Sequence, residues 1–192
     1  MLPGDNESPL AEAAARLGLQ YRPSSFDARG GSRGAKVLGW GGPRDRMALG
    51  RFGQVGVRVM ENSSRTRLAY LYGVAFPPLG VALELRRQHW WRRVWLSLLS
   101  PEPGGEVSAF DALVRVGGRA REESELYLTA ERRRAVAELM HVMPRTRIGR
   151  EHIDGFDAFY RFSRPAADGI VLRVRLLVAA ARGLMEAPDD AG

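Results

Sequence analysis

The sequence predicts an α+β fold: a largely antiparallel sheet, made of a meander and a C-terminal hairpin, covered by helices, with a long C-terminal helix. Three observations carry that expectation. Apolar and polar residues alternate with period two through three successive segments joined by turns, the pattern of half-buried strands. Apolar stripes at helical spacing stand at both ends of the chain and once between them. The two patterns do not alternate regularly, so a doubly wound parallel sheet is not expected.

Ser8-Pro9 opens the first helix, with Ser8 placed to cap free N–H groups and Pro9 where its missing N–H costs nothing. Leu10, Ala13, Ala14 and Leu17 share one face, and Gly18 is a natural stop. A loop rich in Gly, Ser and Arg follows, then a short strand at Lys36–Trp40. Val55, Val57 and Val59 mark a strand, and Asn62-Ser63-Ser64 a turn. Leu68, Tyr70, Tyr72, Val74 and Phe76 line one face of a second strand, which Pro77-Pro78-Leu79-Gly80 breaks. Val81, Leu83 and Leu85 mark a third. Short connections make these three an antiparallel meander, because parallel pairing needs long crossovers.

Ser100–Gly105 is a loop, and Phe110–Val116 has the pattern of a strand ended by Gly117-Gly118. Thr129 caps a helix running to about His141, with Val136, Leu139 and Met140 on its buried face and Met143-Pro144 ending it. Asp154-Gly155 suits a two-residue hairpin turn between Arg147–Ile153 and Phe156–Phe162. In the second arm Phe156, Ala158, Tyr160 and Phe162 share a face. Ala166 to Met185 forms the final helix, whose stripe of Ile170, Val174, Leu177, Ala181 and Leu184 is widened by Val171 and Val178. The expectation is a single α+β domain over residues 1–192, compatible with two parts, 1–100 and 107–187, around a shared core.

Composition narrows the function classes. Cysteine is absent, which excludes a disulfide framework, a thiolate nucleophile and cysteine-bound zinc. The formal charge is +7 and the pI near 10.6, which favours anionic partners. Lys36 is the only lysine among 29 basic residues, a bias that GC-rich codons explain. Met1–Glu7 shows no basic stretch followed by an apolar one, so no secretory leader is expected. The longest uncharged run, Leu68 to Leu83, contains Gly73 and Pro77-Pro78 and is too short for a spanning helix. A cytoplasmic location is therefore expected.

Several features of the chain are similar to a group of uncharacterised α+β domain proteins of high-GC bacteria. They are Leu17-Gly18-Leu19 before a strand-rich middle, Phe110-Asp111, Tyr127-Leu128-Thr129 before an arginine-rich helix, and the hairpin with a final helix. The resemblance implies one compact α+β domain. It carries over no activity and no site residues, and the arginine–tryptophan block departs from its pattern.

That block, Arg86–Trp95, is the densest concentration of chemistry in the chain. Four arginines and three of the four tryptophans fall within ten residues. Arg86, Arg87, His89, Trp90, Trp91, Arg92, Arg93 and Trp95 are the expected binding residues. Arginine and tryptophan combine large apolar area with directional hydrogen bonding, so the leading reading is a non-enzymatic interaction or scaffolding domain with a protein partner or self-association. Nucleic-acid binding is the alternative, with arginines on phosphates and indoles stacked on bases. An anionic membrane surface ranks below both.

Other motifs are explained without chemistry. Gly31-Ser32-Arg33-Gly34-Ala35-Lys36 lacks the spacing and the hydroxyl of a phosphate loop and precedes a strand. His141 sits at a helix C-terminus, where a cation suits the dipole. His152 lies near Glu151, Asp154 and Asp157, but no metal-ligand spacing is present, and no serine has an elbow sequence. Arg51-Phe52-Gly53, Tyr70 and Tyr72 give only half of an aromatic RNA-binding pattern. Arg132-Arg133-Arg134 stand in the first turns of their helix, against the dipole, and are expected on a solvated face. No catalytic residue, metal or cofactor is expected. An enzyme of unknown type would need a cleft bringing His152 or His89 against carboxylates.

Overall fold

The computed structural model describes residues 8–23, 46–63, 67–88, 109–117, 121–160 and 166–186. The elements run α1 (Pro9–Leu17), β1 (Gln20–Arg22), β2 (Arg46–Phe52), β3 (Val55–Ser63), β4 (Arg67–Ala75), β5 (Glu84–Arg87), α2 (Ala109–Leu113), β6 (Val114–Gly117), α3 (Arg121–Tyr127), α4 (Ala130–Val142), β7 (Thr146–Ile148), β8 (His152–Tyr160) and α5 (Ala167–Met185). Eight strands form one antiparallel sheet in the order β1-β2-β3-β4-β8-β7-β5-β6. This is the α+β architecture expected, with strands from before and after residues 89–108 in one sheet. The expected strand at 36–40 and loop at 100–105 lie outside the described residues. Of the Asn62-Ser63-Ser64 turn, Asn62 and Ser63 instead end β3, and Ser64 lies outside.

The meander is displaced by two elements. It runs β1-β2-β3-β4, and includes β2, whose alternation is too weak to mark a strand in the sequence. Gly53, at φ +68°, lets Phe52 pair directly with Val55 in a tight turn. The segment at Val81–Leu85 does not continue the meander: only Glu84–Arg87 is strand, and it pairs with β6 and β7. Beyond Ala75, Phe76 N–H donates to Glu151 O (3.0 Å) and Leu79 N–H to Arg150 O (2.9 Å), so the chain crosses the β7–β8 turn. Pro77 and Pro78 have no N–H with which to extend a ladder. The free side of β4 is taken by β8 along nine residue pairs, Arg67↔Tyr160 to Ala75↔His152.

Two other local expectations are corrected. Residues 109–113 form a helical turn, and the strand begins only at Val114. Asp154-Gly155 is not a turn: β8 runs straight through it, and the hairpin closes at Gly149–Glu151, where Gly149 N–H donates to His152 O (2.8 Å). Gly155 is a packing glycine, because a Cβ there would meet the buried Met143 Cε well inside contact distance. Phe156 and Ala158 share a face of β8, as expected, and Phe162 lies outside the described residues; the shared face is the one turned away from the core. Ile153 and Gly155 are buried, and Asp157 and Phe159 share their side, whereas Phe156 and Ala158 face the other way.

α1, α4 and α5 supply most of the helical side of the core. All seven residues expected on the α5 stripe are buried, as are Val136, Leu139 and Met140 of α4. Thr129 Oγ1 accepts from Arg132 N–H (3.4 Å), the expected cap. Gly18 ends α1 at φ 66°, with Leu19 N–H on Ala14 O (2.8 Å). Ser8 departs from its expected role: its hydroxyl turns from the helix toward the buried Glu61 carboxylate (3.4 Å), which also accepts from Tyr70 (3.0 Å) and pairs with Arg46 (3.3 Å). This cluster ties the start of α1 to β2, β3 and β4. Asp157 of β8 pairs with Arg173 of α5, joining the sheet to the last helix.

Candidate functional site: an arginine row on the outer face of the sheet

Successive residues in a strand point to opposite faces. One face carries Ala48, Val55, Val57, Val59, Tyr70, Tyr72, Val74, Ile148, Ile153 and Leu85, all buried within the hydrophobic core. On the opposite face Arg22, Arg51, Arg58, Arg86, Arg115 and Arg147 are all exposed, and Glu84 and Asp154 are carboxylates of the same face.

The registers align most of this charge. Arg58 pairs with Gly73, Gly73 with Asp154, Asp154 with Arg147, Arg147 with Arg86, and Arg86 with Arg115. These residues form one row running perpendicular to six strands. At about 4.8 Å between strands the row is roughly 24 Å long. Like charges directly opposite in a sheet repel, typically at 0.2–1 kcal/mol per pair, and Arg86 has an arginine on each side. Glu84 offsets part of this by pairing with Arg86 at 2.6 Å, with both groups substantially exposed. No carboxylate pairs with Arg58, Arg115 or Arg147 among the described residues. The Arg58 guanidinium leans over Gly73, 3.8 Å from where a Cβ would sit, and Asp154 Oδ1 lies equally close to that point.

A second row runs parallel, two residues further along each strand: Met47, Met60, Leu71 and Phe156, in register. Met60 is buried, and the other three are partly exposed. Arg145 lies over the Phe156 ring, 5.4 Å from its centroid. On β3, β4 and β8 this apolar row lies about 7 Å from the charged row, beside Arg58 and Asp154, while Arg147, Arg86 and Arg115 lie beyond its end on β7, β5 and β6.

Of the residues expected to bind, Arg86 belongs to this row. Arg87 is exposed but on the opposite parity, paired with Val114. His89, Trp90, Trp91, Arg92, Arg93 and Trp95 lie outside the described residues. Tyr70 and Tyr72 are buried on the helix-covered face, rings 6.3 Å apart, and cannot stack on a base. Burial pushes the Tyr72 hydroxyl well above the ordinary phenol range, and it has no hydrogen-bond partner among the described residues. His152 and Asp154 approach to 3.6 Å, both exposed, and the described residues hold no group of three or more potential metal ligands.

The arginines at the start of α4 divide between fold and solvent. Arg132 is buried rather than solvated. It donates to Tyr127 O (2.6 Å), Gly183 O (3.2 Å) and Glu186 O, and stacks over the Tyr127 ring at 4.0 Å. Arg133 donates to Leu128 O (2.8 Å) and Glu125 O (3.4 Å), while Arg134 is exposed. The first two reach back from their own helix to the carbonyl ends of α3 and, for Arg132, α5, where a cation suits the dipole. That resolves the mismatch visible in the sequence.

Sequence reasoning missed Arg58, Arg115 and Arg147. A signal was present: Val57-Arg58-Val59, Val114-Arg115-Val116 and Thr146-Arg147-Ile148 each set an arginine between residues that face the core side. Only strand order could show that the three share a row.

Against known proteins, the chain matches no family model, no curated protein and no solved structure. No helix among the described residues is long and apolar enough to cross a membrane.

Proposed function

We propose that this protein is a non-enzymatic binding domain that receives an anionic partner on the outer face of its sheet. One observation carries the reading: the registers place four exposed arginines in a single cross-strand row, three of them without a carboxylate partner among the described residues. Guanidinium groups match carboxylate and phosphate geometry, and a bound anion would relieve the repulsion within the row. The basic overall charge supports the same reading. Self-association through this face is disfavoured, because a second copy would set arginines against arginines. The arginine–tryptophan block, expected from the sequence to bind, begins inside β5 at Arg86 and would adjoin the row through that residue.

The test is binding of three labelled polyanions, a poly-glutamate peptide, a sulfated polysaccharide and an oligonucleotide, at about 50 mM salt and again at about 200 mM. At least one should bind, weaken with salt, and be lost in the double variant Arg86→Glu, Arg147→Glu. Failure of all three at low salt, or unchanged binding by the charge-reversed variant, overturns the proposal.

A further inference from the structure

We propose, resting on that reading of the face, that the anion is a single strand of nucleic acid lying across the β-strands. Its phosphates would follow Arg115, Arg86, Arg147 and Arg58, and its bases would lie against Leu71 and Phe156. Three features of the face select this occupant among polyanions. Arg115, Arg86 and Arg147 stand on adjacent strands and Arg58 follows three strands beyond Arg147 in the same row, an extended line that fits a repeating backbone better than a compact acidic patch. The apolar row flanks one end of that line on the same face, at Arg58 and Asp154, about two residues or roughly 7 Å away. A nucleic-acid strand has that division, charge along one side and flat apolar rings along the other, whereas an acidic peptide bears its carboxylates without a stacked apolar face. Phe156 also already carries the Arg145 guanidinium over its ring, a combination suited to a base through stacking and cation–π attraction.

A single strand is favoured over a duplex for a geometric reason. Stacking on Phe156 needs an unpaired base. A duplex hides its base faces, and nothing among the described residues of this strand surface projects as a groove-reading helix would. Asp154 interrupts the cations at the middle of the row. It repels phosphate but can accept a hydrogen bond from a base amino group or a ribose 2′-hydroxyl. The strand would therefore turn a sugar or base edge, rather than a phosphate, toward that position.

The experiment is fluorescence anisotropy with labelled oligo(dT) and oligo(U) of about a dozen nucleotides, a duplex of the same length, and a poly-glutamate peptide of matched charge. Four phosphate contacts at about 0.7 counterions each predict roughly a 50-fold loss of single-strand affinity between about 50 and 200 mM salt. Replacing two of the four arginines, as in Arg86→Gln with Arg147→Gln, should cut that loss to about 7-fold. Phe156→Ala should weaken single-strand binding by at least about 5-fold while leaving the salt slope unchanged, as loss of stacking does. Leu71→Ala is the second variant should Phe156→Ala fold poorly, with circular dichroism as the check on both. Tighter binding of oligo(U) than of oligo(dT) that vanishes in Asp154→Ala would assign the 2′-hydroxyl contact, and equal binding would exclude it. Binding of the peptide or the duplex as tightly as of the single strands overturns this inference and leaves the anion-binding reading standing. Failure of every probe overturns both.

Discussion

Replacing Arg132 with alanine should destabilise the fold more than any surface arginine replacement. The side chain is 5% exposed, and its three acceptors are main-chain carbonyls at two helix ends: Tyr127 O closing α3, and Gly183 O and Glu186 O closing α5. The Tyr127 hydroxyl donates to Leu184 O, so the same corner is fastened twice. A hydrogen bond involving a charged group contributes about 1.5–3 kcal/mol, stacking over an aromatic ring about 0.5–2, and a cation at a helix C-terminus up to about 2 in partly buried geometry. These contributions overlap, and water entering the vacated space will satisfy some carbonyls. A net loss of about 3–5 kcal/mol is expected, the range for breaking a buried charged network. With a urea m-value near 2 kcal/mol/M, the unfolding midpoint should fall by about 1.5–2.5 M. Arg132→Lys keeps the charge but lacks the planar fork that reaches three carbonyls at once, and should lose roughly half as much. Urea unfolding followed by circular dichroism measures both variants. A loss under about 1 kcal/mol for Arg132→Ala would refute the reasoning, because it would place this corner outside the cooperative core.

Two further predictions concern the face beneath the helices. Tyr72 buries a hydroxyl that has no partner among the described residues, so Tyr72→Phe should be neutral or stabilising by up to about 1 kcal/mol near neutral pH. Its raised folded-state pKa also sets the sign of an alkaline effect. The unfolded phenol ionises near pH 10 while the buried one stays protonated, so stability is fully present below about pH 10 and falls as pH rises above it. Urea midpoints at about pH 8 and pH 11 should separate more in the wild type than in Tyr72→Phe; equal separation would contradict the assignment. Gly155→Ala should cost about 1–3 kcal/mol through overpacking against Met143. Adding Met143→Ala should make the pair cost less than the sum of the single changes in a double-mutant cycle, and strict additivity would rule out the contact.

The parts of this fold legible in the sequence are those fixed by local chemistry. Pro9 and Gly18 bound α1, Thr129 caps α4, and the α5 stripe buries every residue it nominates. β3 and β4 are legible because Val55, Val57, Val59 and Leu68 through Phe76 alternate cleanly. What was not legible depends on partners distant in sequence. Asp154-Gly155 has the form of a turn, yet Gly155 is small because Met143 occupies the space above it. The apolar Phe156 and Ala158 look like a core face, yet the core side of β8 holds Gly155 and the paired Asp157, whose apparent polarity Arg173 satisfies. The short helix α3 has no apolar stripe, and its one buried residue is Ser124. The departure of β5 from the meander depends on which strand reaches the free side of β4, and no local pattern encodes that choice.

Arginine illustrates the same division between local and distant causes. All but one of the 29 basic residues are arginine, and composition treats them as equivalent. The fold sorts them into two uses. Arg132, Arg133 and Arg173 spend their donors on carbonyls or a carboxylate inside the structure, and the packing of α3, α4 and α5 depends on them. Arg58, Arg115 and Arg147 bond to nothing of the kind among the described residues, and the registers set Arg86 between Arg115 and Arg147. A sheet face evolved only for stability would alternate signs across its strands, since opposite charges attract and like charges repel at the same spacing. This face instead carries a repulsion that the free protein tolerates and that a bound anion would remove. Such local conflict with the rules of stability, confined to one row of one face, is where a functional surface is expected.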